Sequence, residues 1–198
     1  RKWDKVSDND FNQAKICWYK GGKLNVSYNC IDRHIENGYG DSIAILWQGN
    51  NEKESLKITY NELLKKVCSF SNVLKTHGIK KGDRVCIYMQ MIPELAIAML
   101  ACARIGAIHS VVFGAFSADS LEQRINDSKC IAVITQDSGV RGSKKNIPMK
   151  KNVDKAIERC PHVMKNFIVK RTGESIDFIK ERDFWWHEEI QKVSNSCE

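Results

Sequence analysis

The chain of 198 residues contains 42% hydrophobic and 28% charged residues and only three prolines, a composition that excludes an intrinsically disordered protein. Its formal net charge of +7 results from 31 basic and 24 acidic residues. The most apolar run, Leu95–Ala103, has about half of the roughly 18 residues that a transmembrane helix needs. We therefore expect a soluble globular protein that does not bind membranes.

The first 40 residues predict an irregular segment that is rich in aromatic side chains and interrupted by glycines. Its aromatic residues are Trp3, Phe11, Trp18, Tyr19, Tyr28 and Tyr39. We expect these side chains to be buried against a larger body, because so short a segment cannot form a core alone. Asn29 is predicted to cap a short helix that ends at Gly38. We assign residues 1–40 to this segment and residues 41–198 to one larger domain.

Residues 41–198 predict strands that alternate with helices. The predicted strands are Ile43–Gln48, Leu56–Ile58, Arg84–Met89, Ala107–Phe113, Ile131–Thr135 and Phe167–Lys170. The predicted helices are one that opens with the capping box at Thr59 and ends at Gly78, then Pro93–Ile105, Ser117–Ser128 and Lys151–Cys160. Strands rich in Val and Ile that alternate with helices indicate an α/β fold, in which helices flank a largely parallel sheet. Pro93–Ile105 is apolar nearly all round and should be deeply buried. The tail around Phe184 stays unassigned.

Two loops follow predicted strands: Gly114–Ser117 after Phe113, and Gln136–Asn146 after Thr135. The carboxyl ends of parallel strands lie at one edge of a sheet, and open α/β sheets bind their ligands beyond that edge. If the two strands are close, the two loops form one site.

Five basic residues and no acidic residue lie between Ser138 and Val153. They are Arg141, Lys144, Lys145, Lys150 and Lys151. This local excess favours an anionic ligand, because an arginine offers a planar fork to phosphate and a lysine adds a point charge. The window lacks the aromatic residues that nucleic-acid footprints usually contain, so we do not expect nucleic acid as a partner. From these residues alone, a solvated basic turn is the alternative to a binding loop.

The eight cysteines show no Cys-x-x-Cys spacing, so no zinc site is predicted. Cys86 and Cys102 lie in hydrophobic runs and are expected to be buried free thiols, which suits a cytoplasmic protein. No Ser-His-Asp or Cys-His arrangement is indicated, and His109 is expected to be a core histidine. The sequence therefore predicts no catalytic residue and no metal ligand.

Several sequence blocks carry a resemblance to one family, which covers roughly residues 10–170, most of the chain. They are Gly21–His34, Tyr60–Val85, Met91–Glu94 with Met99–Ser117, and Val133–Thr135 with Val140–Gly142. In combination they resemble AMP-forming acetyl-CoA synthetases, which are adenylate-forming enzymes. The resemblance implies the N-terminal segment of that family, followed by the first part of its large AMP-binding domain.

The resemblance also implies a reaction and its ligands. Such enzymes join acetate to ATP with Mg²⁺, release pyrophosphate, and transfer the acetyl group from acetyl-adenylate to the thiol of CoA. By resemblance, Arg141, Gly142, Ser143 and Lys144 bind the nucleotide end of CoA, with Arg141 at its 3′-phosphate. Phe113, Gly114 and Ala115 would lie near its adenine.

The chain also departs from the family pattern. The family usually has two glycines where this sequence has Gly114-Ala115, so we expect the methyl group of Ala115 to crowd the ligand. The family's phosphate loop, ribose-binding aspartate and lid lysine do not occur in the sequence, so ATP, acetate and the chemical step are expected to depend on residues outside it. A propionate-specific relative and a non-catalytic CoA-binding or nucleotide-binding module are the alternatives.

Overall fold

The computed structural model describes residues 1–198, except for the side chain of Lys145. Its described strands are β1 (Lys5–Ser7), β2 (Trp18–Lys20), β3 (Ile43–Gln48), β4 (Ser55–Thr59), β5 (Arg84–Met89), β6 (Ile108–Phe113), β7 (Ala132–Gln136), β8 (Gly139–Arg141), β9 (Lys144–Ile147), β10 (Lys165–Val169) and β11 (Asp183–Trp185). Its described α-helices are α1 (Val26–Cys30), α2 (Asp32–His34), α3 (Tyr60–Thr76), α4 (Pro93–Ile105), α5 (Ala118–Ser128), α6 (Met149–Ile157) and α7 (Trp186–Glu189).

A five-stranded parallel sheet forms the centre of the fold, with the strand order β11-β10-β7-β5-β6. The chain passes from β5 to β6 on one side, then crosses to β7 on the other side and continues outward. This reversal beside β5 leaves a crevice at the carboxyl ends of β5 and β7, where α/β sheets bind ligands. The predicted α/β fold is confirmed, and the unassigned tail around Phe184 supplies the outermost strand.

Each face of the sheet packs against two helices. Helices α3 and α4 cover one face, where Phe70 and Leu74 pack with Ile87, Ile134 and Phe167 of the strands. Helices α5 and α6 cover the other face, and their core residues Leu121, Ile125 and Val153 pack with Tyr88 and Val133. The inner strands β5, β7 and β10 are therefore buried on both faces, as their continuous apolar sequences predict, whereas Ile108, Val111 and Phe113 of the edge strand β6 are exposed.

The bounds of α4 are those predicted from Pro93 at its first position and Gly106 after its end. Gly106 has φ of 75°, the left-handed conformation that suits glycine at a helix end. Helix α4 is less completely buried than predicted. Leu95, Ala98 and Ala101 are buried, whereas Ala96 and Ala103 are only half-buried. The helix packs against the sheet, α3 and α1, and the rest of its surface remains partly accessible.

The N-terminal 40 residues differ from the prediction in two respects. Their six aromatic side chains are between 43% and 72% exposed, so the predicted burial is wrong for the residues described. The first helix begins at Val26 and is capped by Asn25, not Asn29. The amide of Asn25 also donates to the carbonyls of Ala103 and Arg104, at 3.2 and 3.0 Å. This contact with the end of α4 favours Asn25 over the equally suitable Asn29.

The segment before α6 also departs from the sequence interpretation. The predicted loop Gln136–Asn146 contains the antiparallel hairpin β8–β9. Helix α6 covers Met149–Ile157 and not Lys151–Cys160, because Met149 and Lys150 are buried and draw the helix start toward Pro148. Across the described residues, no helix is both long and apolar enough to cross a membrane.

Candidate functional site

A cleft of about 640 Å³ opens at the carboxyl ends of the central strands. Both predicted loops reach it, although β5 lies between their strands. The residues that line it from these loops are Phe113, Gly114 and Ala115 on one side, and Val140, Arg141 and Lys144 on the other. Gly142 and Ser143 form the exposed turn between Arg141 and Lys144 and do not line the cleft. The side chain of Lys145 lies outside the part that the structure describes.

Hairpin β8–β9 places Arg141 and Lys144 directly opposite each other on its two strands. Gly142, first in the two-residue turn, has φ of 58°, a conformation that hairpin turns require and that glycine adopts without strain. The Cβ atoms of such cross-strand pairs lie about 5 Å apart, so two like charges there repel each other. Both side chains are exposed, and neither forms an ion pair with any described side chain. An anion between them would relieve this repulsion.

The Gly114-Ala115 segment forms a tightly packed part of the cleft. Gly114 is buried, and a Cβ atom at this position would lie 3.1 Å from the carbonyl oxygen of Met89 and 3.1 Å from Cε of Met149. Ala115 is exposed, so its methyl group faces the side from which a ligand would approach. Glycine at position 114 is therefore required by packing.

Phe113 presents an apolar surface at the same end of the cleft. Its side chain is 64% exposed and packs edge-to-face against Phe116, with ring centroids 6.0 Å apart. Phe116 is half-buried and does not line the cleft. An exposed aromatic face beside small residues can contact a planar ring such as a nucleobase.

The opposite wall includes Trp47 and Arg171, and Arg171 is held by Glu54, which does not itself line the cleft. The indole Nε1 of Trp47 donates to the carbonyl of Met91 at 2.8 Å, and the guanidinium of Arg171 lies 5.3 Å from the indole ring centroid. Arg171 forms a two-pronged ion pair with Glu54, at 2.7 and 2.8 Å, which holds the pKa of Glu54 below its usual value. The charge of Arg171 is thereby balanced, in contrast to the charges of Arg141 and Lys144.

Sequence reasoning missed this wall, because its residues are far apart in the chain. Arg171 follows β10 closely, so the rule that selected the other two loops could also have selected it. Its loop is ordered by Asp137, whose buried carboxylate accepts hydrogen bonds from the backbone amides of Arg171, Thr172 and Gly173. No sequence signal singled out Trp47.

Two side-chain amides from outside the hairpin form hydrogen bonds with its backbone, one at Val140 in β8 and the other at Gly142 in the turn. Gln90 donates to the carbonyl of Val140 at 3.2 Å and accepts from its N–H at 3.0 Å. Asn50, in the turn between β3 and β4, donates to the carbonyl of Gly142 at 2.8 Å and accepts from its N–H at 3.2 Å. The backbone of Gln90 is itself held in place, since its N–H donates to the side-chain oxygen of Gln136 at 3.0 Å. These contacts hold the basic hairpin against the sheet and against the β3–β4 turn.

The remaining reactive side chains lie away from the cleft. Cys86 and Cys102 are buried as predicted; burial raises the pKa of the Cys102 thiol to about 12 and that of Cys86 further. His109 is half-buried outside the cleft, and burial lowers its pKa. Among the side chains that the structure describes, no group of three or more His, Cys, Asp or Glu is arranged to hold a metal ion.

Comparison with known proteins gives matches along the whole chain. Residues 32–196 match the family described as AMP-binding enzyme, and residues 1–30 match the family described as acetyl-coenzyme A synthetase N-terminus. The acetyl-coenzyme A synthetase of Magnetococcus marinus is 56% identical over 197 residues, which are 100% of this chain and 30% of that protein. The acetyl-coenzyme A synthetase of Alkalilimnicola ehrlichii is 54% identical over 196 residues, which are 99% of this chain and 30% of that protein. The chain therefore spans less than a third of the length of these relatives.

Proposed function

The chain belongs to the AMP-binding enzyme family, and from this premise we propose that it is the N-terminal part of an AMP-forming acetate–CoA ligase. The match of residues 1–30 and the names of these two relatives support this choice within the family. In the proposed reaction, ATP and acetate give acetyl-adenylate and pyrophosphate, and the thiol of CoA then displaces AMP to give acetyl-CoA. We further propose a cytoplasmic location, because the eight free thiols suit a reducing compartment.

We propose that this chain contributes the binding site for the nucleotide end of CoA. The observation that carries the proposal is the unbalanced pair of Arg141 and Lys144, held opposite each other at the mouth of the cleft. Together they would bind the 3′-phosphate, with the planar guanidinium giving two hydrogen bonds and the ammonium adding charge. Phe113 would contact the adenine, and Gly114 with Ala115 would let it approach the backbone.

ATP supplies the energy for the reaction, since release of pyrophosphate makes formation of the acyl-adenylate possible. We propose that ATP, Mg²⁺ and acetate are held by the rest of a longer polypeptide. The described side chains offer no cluster for a divalent ion, and the sequence has no complete phosphate-binding loop of the Gly-x-x-x-x-Gly-Lys type. Within this chain the task is therefore binding, and no catalytic residue is assigned.

The test is calorimetric titration of this chain with CoA and with dephospho-CoA, which lacks only the 3′-phosphate. A charge-assisted hydrogen bond contributes about 1.5–3 kcal/mol, so CoA should bind about tenfold to 150-fold more tightly. Arg141→Ala should remove most of this difference and leave the thermal midpoint nearly unchanged, because Arg141 is exposed.

Arg33→Ala is the matched control. Arg33 is also exposed, and it lies outside the cleft, so its loss lowers the net charge equally without changing the site. This variant should retain the preference for CoA. Equal affinity of the unmodified chain for the two ligands would overturn the proposed role of the hairpin. Unfolding of Arg141→Ala would instead show that Arg141 is structural.

A further inference from the structure

We infer that Asn50 is a positioning residue for the proposed phosphate site, acting through the Gly142 peptide, so that the turn between β3 and β4 is part of the ligand-binding apparatus. This inference rests on the proposed function of Arg141 and Lys144. Asn50 lies 92 residues before Gly142 in the chain, yet its side-chain amide donates a hydrogen bond to the carbonyl of Gly142 and accepts one from the N–H of Gly142.

The geometry of the hairpin explains why this contact is needed. In β8, Arg141 pairs with Lys144, so the N–H and carbonyl groups of Val140 and Gly142 point away from β9. The amides of Gln90 and Asn50 bond these two residues in the way that a neighbouring strand would. Gln90 fixes the base of the hairpin, and Asn50 fixes its tip.

The tip is the part that most needs support. It carries two cations that repel each other and a glycine with wide conformational freedom. Asn50 is the only described side chain that hydrogen-bonds to the Gly142 backbone. Without it, the spacing between Arg141 and Lys144 would vary, and a phosphate would have to order the turn on binding. The entropy of that ordering would weaken the affinity.

Asn50 is well placed to act as a fixed support. The amide of Gln48 donates to the carbonyls of Asn51, Glu52 and Glu54, at distances of 3.0 to 3.2 Å, and so closes the β3–β4 turn. The ion pair between Glu54 and Arg171 and the hydrogen bond from Trp47 to Met91 anchor the same hairpin to the sheet edge. These three sets of contacts hold the β3–β4 hairpin, and with it Asn50, in a fixed position.

The site therefore requires a spacing of cations as well as their presence. A phosphate monoester, small and doubly charged, can bridge Arg141 and Lys144 only if their separation is fixed. A ligand without that phosphate gains nothing from the fixed spacing. The loss of Asn50 should therefore reduce affinity for CoA selectively, which a general loss of structure would not do.

The experiment compares Asn50→Ala with Asn37→Ala, which replaces another exposed asparagine that forms no side-chain hydrogen bond with the described residues and lies outside the cleft. The affinities for CoA and dephospho-CoA and the hydrogen exchange rate of the Gly142 amide would be measured for both variants. In Asn50→Ala we expect about a tenfold loss of CoA affinity, less than a twofold change for dephospho-CoA, and faster exchange at Gly142. Asn37→Ala should match the unmodified chain in all three.

A double-mutant cycle with Arg141→Ala gives a second readout. If Asn50 acts by positioning Arg141, its replacement should matter little once Arg141 is gone, so the two effects should not add. Additive effects would overturn the inference. The inference would also be overturned if Asn50→Ala kept the full preference of the unmodified chain for CoA over dephospho-CoA. Lack of discrimination by the unmodified chain would instead refute the proposed function itself, so the two failures are distinguishable.

Discussion

Replacing Gly114 with alanine adds one methyl group where the structure leaves almost no room for it. The new Cβ atom would lie 3.1 Å from the carbonyl oxygen of Met89 and 3.2 Å from its carbonyl carbon. Ordinary contacts between non-bonded heavy atoms are about 3.5–4.0 Å, so something must move by several tenths of an ångström. Cε of Met149, also 3.1 Å away, can rotate, but the Met89 backbone belongs to β5 and pairs there with Phe113 of β6. The 113–115 segment must therefore shift.

Overpacking of this kind costs about 1–3 kcal/mol, and the lower entropy of alanine in the unfolded chain offsets about 0.4–1 kcal/mol of it. The net loss of about 1–2 kcal/mol corresponds to a decrease of roughly 2–8 °C in the thermal midpoint for a chain of this size. Because the shifted segment carries Phe113, affinity for CoA should fall as well.

Thermal unfolding followed by circular dichroism, together with CoA titration, tests both expectations. Ala115→Gly is the matched control one residue further on, where the side chain is exposed. It should leave the thermal midpoint within about 2–4 °C, since glycine costs about 0.5–1 kcal/mol in conformational entropy, and it should raise CoA affinity if the methyl group crowds the ligand. If Gly114→Ala changes neither stability nor CoA affinity, the packing argument is wrong.

Three further predictions concern other parts of the structure. Lys150→Met leaves the fully buried carboxylate of Asp183 without one of its partners and should lower stability by about 3–5 kcal/mol in urea unfolding. Burial raises the pKa of Asp183, but hydrogen bonds from an arginine, a backbone amide and Lys150 lower this pKa more. The ionised Asp183 therefore stabilises the fold above the unfolded pKa of about 3.9, and this stabilisation is lost as the pH falls through the folded pKa. The acid dependence of stability should be weaker in Lys150→Met. In the folded protein, exposed Cys30 should react quickly with a thiol reagent, whereas Cys102 should react only on unfolding. Lys144→Glu should stabilise the hairpin by about 0.2–1 kcal/mol in thermal unfolding and abolish the preference for CoA over dephospho-CoA.

The central sheet could be predicted from the sequence, because its signals are local. Short apolar runs that contain Val and Ile mark β5 and β7, and Pro93 and Gly106 bound α4 on the basis of backbone conformation alone. The division of the chain at residue 40 stays a prediction. The helix start at Asn25 could not be predicted, since a contact with the end of α4 decides between two equivalent asparagines.

The aromatic side chains of the first 40 residues show a different limit. Composition indicates that Trp18 and Phe11 would gain from burial, but it does not say whether a surface is available to bury them. In the structure they remain 57% and 72% exposed. Burial depends on the shape of the rest of the protein, which composition does not contain.

For the candidate site, sequence reasoning found the charged residues and missed those that hold them. Arg141 and Lys144 were found because like charges close in sequence are visible as a pattern. Asn50 and Gln90 were missed because an amide that bonds a distant backbone leaves no such pattern. The repulsion between the two cations connects these groups. A hairpin that keeps two unbalanced charges opposite each other needs a source of stability outside itself, and here that source is the pair of amides on its outer edge. The charge pattern therefore implies a support as well as a ligand, although only the structure shows where the support comes from.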